Sequence, residues 1–546
     1  TEYADEGDFA SVGSVHVSYR DTIADQVALS TGAFDYQRAF TAGSNSLGAG
    51  NLLGALELTH YDGPWTTPGD QRKFNGLLRY SAGTPQVGYS LTASLYHSLW
   101  NNQTDVPERA ITEGLIGRFG QLDPTDQGRA QRANFTAEEH QTLGAGELSV
   151  SGYVFSNHLT LINDFTHFLI DPVNGDQEQQ HEDRTTLGGA ASYRRPATLL
   201  GRDSELLLGF QARYDFLQVA RIPTRNAQPI PAADHPLGFS EDDQIHLASD
   251  AWYAQASTHW SPWFRSVIGL REDYVYGSDS GSNPGSASRA LLQPKASLIF
   301  RLAAGSELYF SAGRGFHSDD LRGVNQARLT HTPGAPLLAS QTGEEIGLRQ
   351  ELFAQRLAAT VAVFNLDAQS EITYNPDEGM DSAGPGSHRI GYEINATYQA
   401  LRWLEFYGSF SQDRARYTTA FDDGTGHVGF YLPNAPFATG SLNVYVKNLG
   451  HWSGGLEYRY LGAFPLSSDD RVQGSGYGEW SGDIHYALAG GWGVAVGVFN
   501  ILNSHANAME YWYVDRLPGE PAEGQADIHV HPLEPRALRL TVSKNF

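Results

Sequence analysis

Residues 492–498 read Trp-Gly-Val-Ala-Val-Gly-Val, and residues 538–546 read Leu-Arg-Leu-Thr-Val-Ser-Lys-Asn-Phe. Both alternate. Trp492, Val494, Val496 and Val498 share one face of an extended chain, and Gly493, Ala495 and Gly497 share the other. Leu538, Leu540, Val542 and the terminal Phe546 oppose Arg539, Thr541, Ser543 and Asn545. The pattern recurs where Leu404, Phe406 and Phe410 oppose Glu405, Tyr407, Ser409 and Ser411. It recurs again where Leu442, Val444 and Val446 oppose Ser441, Asn443, Tyr445 and Lys447. Successive side chains of a strand point to opposite faces, so this alternation requires a different solvent on each face. A charge at mid-membrane on a lipid-facing strand costs about 2–4 kcal/mol, so the polar set is expected to face the lumen.

Working outward, the same rhythm fills the chain. Candidate strands fall at Gln26–Phe34, Tyr36–Ala42, Gly50–Tyr61, Phe74–Ala82 and Val87–Trp100. Others lie near 130–143, 145–166, 182–195, 204–220, 241–260, 263–277, 289–302, 306–315, 340–352, 357–371, 387–400, 403–417, 435–447, 451–465, 475–487, 491–502 and 534–546. The count is 22, an even number, as bacterial antiparallel barrels have. Tight turns are predicted at Pro85, Gly144, Ser261–Pro262, Ala304–Gly305, Gly450 and Gly490, and long breaks near 101–129, 221–240, 316–339, 418–434 and 503–533. Trp260, Trp263, Trp403, Trp452 and Trp492 all sit beside tight turns, where amphipathic rings would lie at headgroup level. The predicted fold is therefore all-β: a 22-stranded antiparallel transmembrane β-barrel with short periplasmic turns and long extracellular loops.

Composition agrees. No run of eighteen apolar residues exists, so no transmembrane helix is expected. The mean hydropathy of −0.38 still fits a membrane protein whose strands face water on one side. Aromatic residues at 12% and 59 glycines suit interfacial girdles and a strand-rich fold. Two methionines and no cysteine fit an exported protein without disulfides. The net charge of −25 argues against a nucleic-acid partner. Acidic residues gather in predicted loops, as at Asp319, Asp320, Asp422 and Asp423. These suit a solvated surface or one that attracts cations.

Four segments together resemble the TonB-dependent receptors of Gram-negative bacteria: Gly7-Asp8-Phe9-Ala10-Ser11-Val12-Gly13-Ser14-Val15, Asp62-Gly63-Pro64-Trp65, Gly315-Phe316-His317-Ser318-Asp319-Asp320, and Val498-Phe499-Asn500-Ile501-Leu502-Asn503. The terminal Phe546 likewise resembles the assembly signal of outer-membrane barrels. The resemblance implies a multi-pass protein of the outer membrane, in contact with membrane lipids and lipopolysaccharide. In that family the first segment is the last strand of a plug domain that fills a lumen too wide for side chains alone. Here it lies at residues 7–15. The expected division is a remnant of the plug strand and linker at 1–24 and the barrel at 25–546. The plug, and through it the TonB complex, is then expected from outside this chain.

Asp527, His529 and His531 share one face if Ala526–Pro532 is extended. Two imidazoles and a carboxylate so placed are a candidate transition-metal set, or else the polar face of a loop. His317, Asp319 and Asp320 follow a strand at the expected extracellular mouth. They are candidate ligand contacts, or caps of local turns. Tyr511, Trp512 and Tyr513, with Trp100 and Tyr374, offer aromatic surface for a ligand or belong to the outer girdle. Residues 422–429 match G-x-G-x-x-G by chance, since a dinucleotide site needs that motif between a strand and a helix. No HExxH, P-loop or cysteine nucleophile is present, so no enzyme is expected. No cofactor is required, with a bound metal or Ca2+ in the extracellular loops as an option. The expected function is TonB-linked uptake of a scarce nutrient, with the histidines tilting toward a metal or metal chelate as the small-molecule ligand. The alternatives are a plugless diffusion channel and a surface barrel that holds a partner protein.

Overall fold

The computed structural model describes residues 3–546 other than 12, 85, 237–239, 332, 333, 335 and 376–379, and no side chains across 373–382. Val12, the turn expected at Pro85 and the ring of Tyr374 lie outside the described residues. The main sheet holds 24 strands, of which Gln228–Pro229 and Val428–Tyr431 are short loop extensions. The remaining 22 form a closed antiparallel barrel from Gln26–Gly32 to Ala537–Asn545.

The alternation sets the register. Val494, Val496 and Val498 stand opposite Val542, Leu540 and Leu538, while Gly493, Ala495 and Gly497 stand opposite Ser543, Thr541 and Arg539. The same final strand pairs on its other edge with the first, Leu29 opposite Val542 and Gly32 opposite Arg539. The Ser30 and Thr541 hydroxyls meet across that seam at 2.8 Å, and the Phe546 amide donates to the Asp25 carbonyl at 2.9 Å. Closure leaves no exposed sheet edge, which a lipid environment requires.

The breaks sort onto two rims. Two-residue turns at 48–49, 144–145, 200–201, 262–263, 304–305, 402–403 and 450–451 mark one. Long connections at 102–126, 164–177, 226–240, 319–337, 369–386, 423–437, 462–476 and 500–536 mark the other. Several expected strands end early, two of them for evident local reasons. The one expected to reach 166 stops at Asn163, because the Asp164 carboxylate takes the His167 amide and turns the chain. The one expected to reach 465 stops at Leu461, and Phe464–Pro465 pairs instead with Gln473–Gly474 in the loop.

A crossing of the membrane needs about 9–11 residues of tilted strand. Glu178–Leu199 has 22 and Arg202–Arg225 has 24, so their loop-rim halves stand clear of the bilayer. Exposed Tyr214, Phe216, Trp252, Tyr274 and Tyr276 ring the outer face of this region. Two charges, Asp250 and Glu272, stand on the outer face rather than toward the lumen. Asp250 stands opposite Tyr274, and Glu272 opposite Trp252, on the same outer face. At ring level a carboxylate reaches water, and the depth-dependent cost is small.

Candidate ligand site at the barrel mouth

The inner wall is polar and carries the chain's own first residues. The fully buried Lys295 donates to the Tyr3 and Glu6 carbonyls at 2.8 and 2.6 Å. Arg271, paired with Asp273 at 2.7 Å, reaches the Asp5 carbonyl, which also accepts from Gln211. Ala4 is fully buried against Leu207 and Tyr253. The Phe9 amide bonds the Phe316 carbonyl, and Ser318 donates twice to Asp8. Further round the lumen, Tyr309 donates to Glu345, and a cavity of about 400 Å³ is lined by Glu6, Glu345, Asn365, Glu393 and Ser411.

The strand Ser306–Ser318 ends at the mouth, and the helix Leu321–Thr330 follows. Leu321 and Val324 of this helix pack on Leu217, Ile245 and Ala287 of the inner wall, so the helix narrows the opening. His317 lies against Phe9 at 5.6 Å. Asp319 is buried and accepts from the Asp320 amide. Asp320 is the helix N-cap, accepting from the Arg322 amide at 2.9 Å and pairing with its guanidinium. The two carboxylates therefore build the strand–helix corner.

Above the rim, two loops form a separate three-stranded sheet: Asn507–Asp515, Gln525–Pro532 and Val106–Pro107. It brings two expected groups together. Tyr511 stands opposite His529, Tyr513 opposite Asp527, and Met509 opposite His531, so Met509, Tyr511, Tyr513, Asp527, His529 and His531 share one face. Trp512 is on the other face, donating to the Thr425 hydroxyl at 2.9 Å. Met509 and Tyr511 are exposed. The three metal candidates are on one face, as expected of an extended segment, but each has its own neighbour. Asp527 accepts the Arg109 amide at 2.9 Å. The His529 ring stacks on Tyr513 at 3.5 Å, with Nε2 3.2 Å from Asp515. His531 packs on Trp65 and meets the Gln103 carbonyl.

Arg109 clasps this sheet to the 102–126 loop. Its guanidinium meets Asp515 at 2.6 Å, Glu520 at 2.8 Å and Asp527 at 3.3 Å. Burial alone would raise the Asp515 pKa, but His529, Arg109 and His167 together hold it below the ordinary range. Hydrogen bonds from Arg109 keep Glu520 low as well. Burial pushes His167 down to about 4 and Asp126 up to about 7, and it raises Asp164 well above the usual range, reinforced by Asp126. Arg109, Asp515 and His167 carry no local sequence signal, since they meet from loops far apart in the chain. Among the described residues, two groups bring ligand atoms within 4.8 Å of one another, and both lie elsewhere: His158–His181–Asp183 and Asp35–His60–Asp62.

The mouth thus sets the exposed Met509 and Tyr511 beside the fixed charges of the Arg109 cluster, above a polar lumen. The family model for "TonB dependent receptor-like, beta-barrel" matches residues 14–501. The Metal-pseudopaline receptor CntO of Pseudomonas aeruginosa (strain UCBPP-PA14) is 25% identical over 343 residues, covering 58% of this chain and 47% of that protein. The Catecholate siderophore receptor Fiu of Escherichia coli (strain K12) is 25% identical over 209 residues, covering 37% of this chain and 25% of that protein. The matches thus span about half or less of these curated relatives. Among solved structures, the siderophore receptor PiuA from Acinetobacter baumannii superposes with a TM-score of 0.76 at 12% identity, covering 97% of this chain and 82% of that one. The ferric-catecholate import receptor Fiu from Escherichia coli K12, in its closed form, gives 0.73 at 15%, covering 96% and 82%. At such identities the superpositions speak for the fold alone, whereas the family match runs through nearly the whole barrel. The chain belongs to the TonB dependent receptor-like β-barrel family of the Gram-negative outer membrane.

Proposed function

We propose that this barrel serves energy-dependent, TonB-linked uptake of a metal chelate of siderophore type. The observation that carries the reading is the family match over residues 14–501, together with the similarity to CntO and Fiu, whose names specify metal-pseudopaline and catecholate siderophore. The mouth supports it. The helix Leu321–Thr330 and the clasped loop sheet restrict entry, as a selective receptor needs and a general pore does not. In this reading the exposed Met509 and Tyr511 offer contact area to the chelate, and the polar wall offers its path.

The test is accumulation of radiolabelled iron or zinc, presented as a panel of catecholate, citrate and amino-carboxylate chelates, by cells with and without the native gene. Gene-dependent accumulation of at least one chelate is expected, and a protonophore should abolish it. Accumulation that persists undiminished under the protonophore would instead make the barrel a passive channel. No gene-dependent accumulation across the panel would remove metal chelates as the cargo.

A further inference from the structure

We propose that His158, His181 and Asp183 form a divalent transition-metal site on the outer face of the barrel wall, binding Zn2+ through His158 Nδ1, His181 Nε2 and an Asp183 carboxylate oxygen. The three come from the paired strands Gly146–Asn163 and Glu178–Leu199, with His158 directly opposite Asp183 and Thr160 opposite His181. Their ligand atoms lie within 4.8 Å of one another. His158 Nδ1 contacts Asp183, and His181 Nε2 lies 3.1 Å from its other oxygen. The rings meet edge-on with centroids 4.9 Å apart. Imidazole and carboxylate are the donors that borderline first-row ions take, and three protein ligands leave a fourth position open.

The site is built beyond its ligands. His181 Nδ1 lies 3.1 Å from the Thr160 hydroxyl, the kind of outer partner that orients a metal-binding imidazole. Both strands are held in continuous ladders, so the ligand positions are rigid. The side chains are reachable, being 33%, 22% and 51% exposed.

Register places the group outside rather than in the lumen. His158 and Asp183 share a face with Val154 and the exposed Leu187, while the intervening Thr186 is buried against Asp215. His158 lies twelve residues past the turn-side end of its strand at Gly146, and His181 eighteen before Leu199, beyond the roughly 9–11 residues that span a bilayer. The site therefore stands above the apolar band and apart from any path through the barrel. Its natural effect is to staple two tall strands that project from the membrane.

The other group suits a metal less well. His60 Nε2 faces Asp35 at 3.2 Å and Asp62 at 3.4 Å, with Asp70 at 3.7 Å from Nδ1. One ring among three carboxylates supplies a single imidazole to a borderline ion.

Zinc binding by the purified protein in detergent at neutral pH tests the proposal, read by calorimetry and by metal content after desalting. One zinc is expected that H158A and H181A lose, with affinity down at least tenfold, while H60A retains it. Co2+ should give the visible absorption of a tetrahedral site in the parent and lose it in H181A. H158Q and T160V are the milder variants, and heat-modifiable migration confirms that each is folded. T160V should keep the cobalt band and bind more weakly. Zinc binding unchanged in H158A and H181A would overturn the proposal, as would a parent that binds none. Because the readout needs neither energy nor cargo, it is independent of the uptake experiment.

Discussion

At the residue scale, the loop carboxylates and histidines divide by what surrounds them. The sequence marks His529 and Asp527 as metal candidates because it shows their spacing. It cannot show Arg109, which reaches Asp527, Glu520 and Asp515 across four hundred positions. The buried acids carry a pH dependence whose sign follows from their shifts. Asp126 has a folded pKa of about 7, above the ordinary value of about 3.9, so the folded loop holds a proton that the unfolded one releases. Its contribution is whole below the unfolded value and lost as pH rises through about 7. Asp164, also raised, adds in the same direction. His167 has the opposite sign: its folded value of about 4 is below the ordinary 6.5 or so, and its contribution falls away as pH drops through that interval. Hydrogen-exchange protection of residues 164–177 should therefore decline as pH rises through about 7. Asp126→Asn should flatten the decline. His167→Gln should leave it in place and extend it below about 6.5, where the opposing contribution of that ring is removed.

At the element scale, strands were the legible units because each must satisfy lipid and water at once. The interior packing that the alternation does not reveal is the pairing of tyrosines with cross-strand glycines. Tyr153 faces Gly188, Tyr253 faces Gly209 and Tyr309 faces Gly347. In each pair the ring lies across the partner strand where a side chain would otherwise stand. A Cβ on Gly209 would come within 2.1 Å of the Tyr253 ring. Gly209→Val should destabilise the barrel by roughly 1–3 kcal/mol, the usual cost of overpacking, seen as a lower temperature of heat-modifiable unfolding. Because Tyr253 also packs on Ala4, the variant should expose residues 3–9 to protease. Unaltered cleavage there would show that the polar contacts from Lys295, Arg271, Gln211 and Ser318 hold the segment without the Ala4 packing.

At the scale of the whole molecule, the barrel is held by a seam between its first and last strands, which are among the shortest at 7 and 9 residues. The last strand is paired on both edges, with Gln26–Gly32 and Trp492–Phe499, and Phe546 ties its end to Asp25. Deleting Phe546 should lower the fraction of chains that reach the outer membrane in heat-modifiable form, measured by fractionation and electrophoresis. An unchanged fraction would mean that the Leu538–Val542 alternation suffices for assembly.

By itself the sequence determined the fold class, the number of staves and the two unlike rims. Those follow from a period of two and from the spacing of Gly- and Pro-rich breaks, which are properties of neighbours in the chain. The tertiary structure alone decided what the candidate residues do. Asp320 became a helix cap, Trp512 turned away from Tyr511 and Tyr513, and His158 met His181 and Asp183. Which polar groups meet depends on strand register and on contacts between loops far apart in sequence, and no local pattern encodes either. Asp250 and Glu272 make the same point from the outside. Their alternation places them on the lipid face, and only the height of the surrounding aromatic rings explains why they are tolerated there.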